Sequence, residues 1–288
     1  MRILIIGSGF LATSIIEKLE SEGHELLVFS RKARKNIQCT QIQGDIFDFE
    51  EFSRVFKWKP QIIVHTAWIT APELYREDIS NFKYAQFTTT LAKYIAKSDV
   101  EHLIVLGTCA EYGGQDGPST AGITNPSPIS LYAKQKVTAF NSVSELLEDS
   151  DVRFTWARIF YPYGPGHHQK RLIPQIIHSL KNGEPIQLTD ISSTYDWITT
   201  RDIASATSWV ILNNIQIEVD IGTTIGYTNI ELLENIEKLL KTSSPLQKHQ
   251  EHGFGLKETF VVGKNSPLFT SGWLPRDTLL TGLEWVLN

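Results

Sequence analysis

Residues 2–12 read RILIIGSGFLA, and this stretch decides the fold. Arg2–Ile6 is short, rich in β-branched residues and without polar alternation, the mark of a strand buried on both faces. Gly7, Ser8 and Gly9 then turn the chain. Phe10–Glu22 carries apolar residues at helical spacing, and Gly23 is a fitting stop. With the small Ala12, the turn fits G-x-G-x-x-A in the strand-to-helix context that a dinucleotide loop requires. Gly7 permits the tight turn, Gly9 lets the backbone approach a pyrophosphate, and Ala12 lets the helix lie close to the strand. Phe10 and Leu11 open the helix whose free N–H groups would face the phosphates.

The alternation continues downstream. Strands are expected at Glu25–Phe29, Thr40–Gln43, Gln61–His65, His102–Leu106 and Arg153–Ala157. Helices are expected at Glu50–Phe56, Ile79–Lys97 and Ser130–Leu147, the last with Ser130 as N-cap. This rhythm predicts a Rossmann-type, doubly wound parallel sheet of the α/β class, with a smaller C-terminal substrate lobe. The rhythm changes at the Gly- and Pro-rich loop Tyr161–His168. The expected division gives residues 1–159 to the nucleotide lobe, with 191–222 returning to it, and 160–190 and 223–288 to the substrate lobe.

Composition fits a globular chain: 288 residues, 41% hydrophobic and 20% charged. A net charge of −5 argues against binding nucleic acid. No run is long enough to span a membrane, and Gly7–Gly9 interrupt any signal-peptide core, so a cytoplasmic location is expected. Cys39 and Cys109 read as free buried thiols, and no Cys/His cluster suggests a metal. His167 and His168 are adjacent, a poor arrangement for two ligands of one ion, and read as substrate-loop or exposed residues. His65, ending a strand, reads as packed.

Cofactor choice turns on the end of the second strand. An NAD site usually has an acid there, whereas this chain has Ser30, Arg31 and Lys32. These can hold a 2′-phosphate or form a solvated basic turn, so the expected cofactor is NADP, or NAD. Asp45 and Ile46 follow the third strand, where they either touch the adenine or, for Asp45, cap a turn. Ala67 and Trp68 follow the fourth strand and are expected to line the cofactor.

Tyr132 and Lys136 form Y-x-x-x-K on one helix face. A free phenol, with a pKa near ~10, is a poor base at neutral pH. A nearby ammonium stabilises its phenolate and suits it to exchange a proton with a hydroxyl or carbonyl. Thr108 stands at the carboxyl end of the His102–Leu106 strand, where its hydroxyl can bind the reacting oxygen.

In order, the glycine motif, GTCAEYGG, PSPISLYAKQK, RIFYPYGPG, TYDWITTRDIA and GWLPRDTLLTGLEWV resemble the extended short-chain dehydrogenases, the NAD-dependent epimerase/dehydratase group acting mostly on nucleotide-activated sugars. The resemblance spans the chain. It implies that Thr108, Tyr132 and Lys136 are the catalytic set and that Asp202 is a structural acid. It also implies a homodimer built on Ile79–Lys97 and Ser130–Leu147. The loop has G-x-G where most members have G-x-x-G.

Candidate substrate residues are Cys109, Glu111, Tyr161, Arg171 and Tyr195. Tyr161 stands where the family commonly has Asn, and Tyr195 where it often has Arg, both diphosphate contacts. Lys170 or Arg171 can replace that charge or be ordinary cations. Cys109-Ala110 stands where sugar dehydratases carry Asp-Glu, which argues against a 4,6-dehydratase. The expected activity is NAD(P)-dependent reduction of a keto group on a nucleotide sugar. The alternatives are an epimerase that retains its cofactor, a reductase of a non-nucleotide carbonyl compound, and a non-catalytic dinucleotide sensor.

Overall fold

The computed structural model describes residues 1–35, 37–115, 117–188, 191–216, 218–243, 246–248, 260–264 and 266–288. Strands β1 (Arg2–Ile6), β2 (Glu25–Ser30), β3 (Thr40–Gln43), β4 (Ile62–His65), β5 (His102–Thr108) and β6 (Arg153–Ile159) join a later strand, β10 (Glu218–Ile221). They form one parallel sheet in the order β10-β6-β5-β4-β1-β2-β3. Helices α1 (Phe10–Ser21), α2 (Phe49–Ser53), α3 (Ser80–Ile95) and α4 (Leu131–Leu147) connect them.

Alternation within β1 explains the two layers. Ile3 and Ile5 enter one core with Ala12, Ile15 and Leu19 of α1. Leu4 and Ile6 enter the other with Leu91 of α3 and Val143 of α4. Side chains of this size each contribute about 1.5–3 kcal/mol when fully buried. β1 lies between β2 and β4, so the chain runs outward in both directions from it. In such sheets that reversal opens a crevice at the carboxyl ends of the strands.

The second lobe holds β7 (Tyr161–Tyr163), α5 (Leu172–Asn182), β8 (Ile186–Leu188), β9 (Thr194–Thr199), β11 (Gly226–Thr228), α7 (Asn229–Leu240), β12 (Leu246–Lys248), β13 (Phe260–Val261) and α9 (Leu279–Leu287). β9 is flanked by β7, β11 and β13, and β12 pairs with β8. Ile176, Leu180, Trp197, Leu232 and Leu283 meet in its core.

Four expectations are corrected. Residues 191–222 do not return together to the nucleotide lobe. β9 belongs to the second lobe's sheet and spans both cores, with Trp197 in one and Ile198 in the other. Only α6 (Thr200–Leu212) and β10 rejoin the large sheet. Nor does 223–288 stay wholly in the second lobe: Leu268 of α8 (Pro267–Thr270) and Trp273 fill the nucleotide-lobe core beside α6. The helix expected at Glu50–Phe56 stops as α2 at Ser53 and tightens into a 3-10 turn ended by Lys59 at φ 53. Cys109 is buried, but Cys39 is only half-buried, and the two are not joined in a disulfide.

Candidate active site

A cleft of about 2460 Å³ runs along the carboxyl ends of the strands between the lobes. Pockets for one small ligand span roughly 300–1,000 Å³, so this one has room for a dinucleotide and a second large ligand.

The cofactor half is built on the first turn. Gly7 has φ +103, and its N–H donates to Phe29 O at 2.8 Å. A Cβ there would lie 2.7 Å from Thr66 Oγ1 and 3.0 Å from Ala67 N, so the loop touches the end of β4 through glycine alone. Gly9 is the N-cap of α1 without a side-chain cap, and a Cβ on it would meet no protein atom within 4 Å. An uncapped helix N-terminus facing open space suits a pyrophosphate. Leu11 and Ala12 line the same cleft.

Ser30 Oγ donates to Lys32 O at 3.0 Å, turning the chain so that exposed Arg31 and Lys32 border the cleft. Asp45 accepts from Phe47 N at 3.0 Å and so caps a turn, while it and Ile46 also line the cleft. Ala67 and Trp68 form the wall after β4, and Trp68 Nε1 donates to Asn81 Oδ1 at 2.7 Å. These residues fit an NAD(P) dinucleotide.

The reactive groups meet deeper in. Thr108 ends β5. Ser130 caps α4 by accepting from Ala133 N at 3.2 Å, and Tyr132 N donates to Arg76 O at 2.9 Å, which fixes the start of the helix. The Tyr132 hydroxyl lies within the influence of the Thr108 side chain. Its ring meets Trp68 at 6.3 Å and Tyr75 at 5.1 Å. Burial raises the phenol above its ordinary pKa, and Thr108 opposes the rise.

Lys136, one turn later, is 4% exposed. Its Nζ donates to Leu106 O at 2.6 Å and lies 3.9 Å from the centre of the Trp68 ring. Burial pulls its ammonium down to about 7, opposed by the Glu111 carboxylate. His65 is packed beneath, its Nε2 3.0 Å from Thr88 Oγ1, and burial pulls it down to about 3, so it is neutral.

In the substrate half, Cys109, Tyr161, Arg171 and Tyr195 line the cleft. The Tyr161 and Tyr195 rings lie 4.2 Å apart. Arg171 donates to Thr70 O at 2.9 Å and lies 5.0 Å from the Tyr75 ring centre, bridging the lobes. Lys170 is paired with Glu73. His167 is half-buried, not exposed, and stacks on Phe10 at 4.3 Å. Asp202 accepts from the backbone of Arg276 and Asp277 and is structural.

Glu111 is a correction. Its side chain is fully buried behind Thr108 and does not line the cleft. It accepts from Thr108 N at 2.8 Å, Trp156 Nε1 at 3.0 Å and Arg158 Nε at 2.7 Å. Sequence reasoning missed Arg158, although a cation inside the apolar strand β6 is itself a signal of a buried partner. It also missed Tyr75 and Arg76, which stand on a stretch of turns without periodicity. Among the described residues, no group of three His, Cys, Asp or Glu could hold a metal, and no helix is long and apolar enough to cross a membrane.

Similar proteins share this arrangement of parts. The UDP-glucose 4-epimerase of Streptococcus mutans is 22% identical over 315 residues, covering 96% of this chain and 92% of its own. The dTDP-glucose 4,6-dehydratase of Neisseria meningitidis is 25% identical over 335 residues, covering 100% and 94%. Among solved structures, the UDP-glucose 4-epimerase of Thermus thermophilus in complex with NAD superposes with a TM-score of 0.90 at 22% identity, covering 100% of this chain and 98% of that one. The model of the NAD dependent epimerase/dehydratase family matches residues 3–222, from the first strand through the last strand of the large sheet. By that match, a glycine-turn sheet with Thr108, Tyr132 and Lys136 gathered at its carboxyl edge, the chain belongs to the NAD-dependent epimerase/dehydratase family.

Proposed function

We propose that the chain catalyses hydride and proton transfer at a hydroxyl- or keto-bearing carbon of a nucleotide-activated sugar, using NAD(P). One observation carries this reading. Tyr132, beside Thr108 and with Lys136 Nζ 6.0 Å from its ring centre, stands between the Trp68 wall of the cofactor half and the Tyr75–Arg171 wall of the substrate half.

A nicotinamide dinucleotide held at Gly7, Gly9 and the Trp68 wall would supply or accept the hydride. Tyr132 gives the proton to the carbonyl oxygen in reduction, or takes it from the hydroxyl in oxidation. Thr108 hydrogen-bonds the same oxygen and orients it. Lys136 stabilises the phenolate that forms on Tyr132. Arg171 is placed to exchange its contact with Thr70 O for a substrate phosphate, for which its planar fork is suited.

We favour net reduction of a ketone by NADPH. The turn at Ser30, Arg31 and Lys32 offers cations and no acid to the adenosine ribose. Cys109 and Ala110 supply no carboxylate pair for an elimination. Epimerisation with retained cofactor is the second reading. His167 stacked on Phe10 ties the second lobe over the cofactor loop, and the curated relatives include 4-epimerases. The exposed Phe82 and Tyr94 on α3 support pairing of two copies through α3 and α4.

The test is a panel of nucleotide-linked 4-keto-6-deoxy sugars with NADPH and NADH in parallel, together with UDP-hexoses assayed for inversion. Stoichiometric loss of NADPH with one ketone is expected. Inversion of a hexose without net cofactor change would favour the second reading. Neither, with cofactor still bound, would contradict both.

A further inference from the structure

Glu111 is the buried ionisable group closest to the reactive set that the reaction above does not use. Every partner of its carboxylate is a donor: Thr108 N, Trp156 Nε1 and Arg158 Nε. Burial pushes such a group up, yet a protonated carboxyl would find no acceptor here. Glu111 is therefore ionised.

The surrounding charges make an uneven set. Arg158 is shared between Glu111 and Glu218, so two carboxylates face one guanidinium. One negative charge is left in excess on the side of Lys136, whose Nζ lies 5.7 Å from the centre of the Trp156 ring that donates to Glu111, and its ammonium balances that charge. The other titratable groups nearby do not. His65, from β4, is held neutral by burial. Asp220 accepts from the Tyr112 hydroxyl and from Ala121 N, each at 2.7 Å, and burial pushes it up to about 7; neutral or ionised, it brings no positive charge. Tyr132 is raised and neutral in this state.

Glu111 also shapes the backbone. It completes a capping box with Thr108 over the 3-10 turn that leaves β5. Its carboxylate lies over Gly107, where a Cβ would come 2.8 Å from Oε1. The strand end that presents Thr108 is thus built around this carboxylate.

We propose that Glu111 is a positioning residue: it fixes the backbone that presents Thr108 to Tyr132, and its fixed negative charge keeps Lys136 an ammonium. The role rests on the proton-transfer reading of Tyr132. It acts on Lys136 even if the reacting substrate is of another class.

The test is 13C-ε-lysine NMR on the full chain, without cofactor and with NADPH. The Lys136 resonance is identified by its loss in Lys136→Arg. Glu111→Gln keeps an acceptor for Thr108 N and removes the charge. Its Lys136 midpoint should fall by about one pH unit or more from the wild-type value. Turnover at neutral pH should fall about tenfold with substrate KM within about twofold, because the loss is in the proton-transfer step. Unchanged NADPH affinity with an unmoved midpoint would overturn the proposal. If Glu111→Gln no longer binds NADPH, Glu218→Gln decides, since that side chain is 28% exposed at the sheet edge. It should lower the Lys136 midpoint in the same direction by less, and no movement would overturn the proposal. Tyr132→Phe with wild-type turnover would instead remove the reaction itself, while the Lys136 midpoint still reported on Glu111.

Discussion

In the proposed reaction Tyr132 gives up its proton near neutral pH, and burial alone works against this. Thr108 opposes the rise in its pKa, and the Lys136 ammonium, 6.0 Å from the centre of the Tyr132 ring, would stabilise the phenolate by its charge. In the proposed NADPH site Arg31, exposed at the rim of the cleft, would take the 2′-phosphate. Arg31→Ala should raise the KM for NADPH about tenfold while leaving that for NADH within about twofold, the loss of one charge-assisted phosphate contact. Steady-state kinetics with both cofactors read this directly, and equal losses would contradict the role.

His102 tests the electrostatics away from the site. It is buried, its Nε2 is 2.8 Å from Thr155 Oγ1, and burial pulls it from 6.5 to about 4. The folded state keeps it neutral while the unfolded chain binds a proton below about 6.5, so its contribution is fully present above that pH and is lost as pH falls towards 4. The stability advantage of wild type over His102→Gln should shrink by roughly 2 kcal/mol between pH 6.5 and 5. Urea unfolding of both proteins at the two pH values measures it.

At the scale of elements, β5 and the turn after it decide the site. Gly107 has no side chain because the Trp156 indole and the Glu111 carboxylate occupy that space. Gly107→Ala should cost about 1–3 kcal/mol of stability by overpacking, read as a lower urea midpoint. An unchanged midpoint would mean that the strand end is looser than drawn. The strands and helices of the large sheet were legible in the sequence because each is a short buried run or a helical stripe. The placement of Thr108 at a strand end and of Tyr132 and Lys136 on one helix face was legible for the same reason. Glu111 was not legible as a buried carboxylate, since its neighbours Cys109 and Ala110 face the cleft and a 3-10 turn cannot be read from residue types. β9 was misplaced for a related reason: its alternation serves two cores at once, and periodicity does not say which core lies on which side. Leu268 and Trp273 are distant in sequence from the core they fill.

The whole molecule is two lobes meeting over one cleft, tied by Arg171 to Thr70 O, Lys170 to Glu73 and His167 to Phe10. These contacts hold the second lobe over the glycine turn, with Tyr132 half-buried in the wall of the cleft between them. In the proposed reaction Tyr132 passes the proton while the hydride moves between the nicotinamide and the sugar carbon. The most direct measurement is NADPH oxidation with a nucleotide-linked 4-keto-6-deoxy sugar by wild type and Tyr132→Phe, with NADPH affinity measured for both. Stoichiometric oxidation by wild type, a loss of about 10²–10⁴ in turnover for Tyr132→Phe, and equal NADPH binding are expected. Turnover by Tyr132→Phe at a rate near wild type would contradict the proposed reaction.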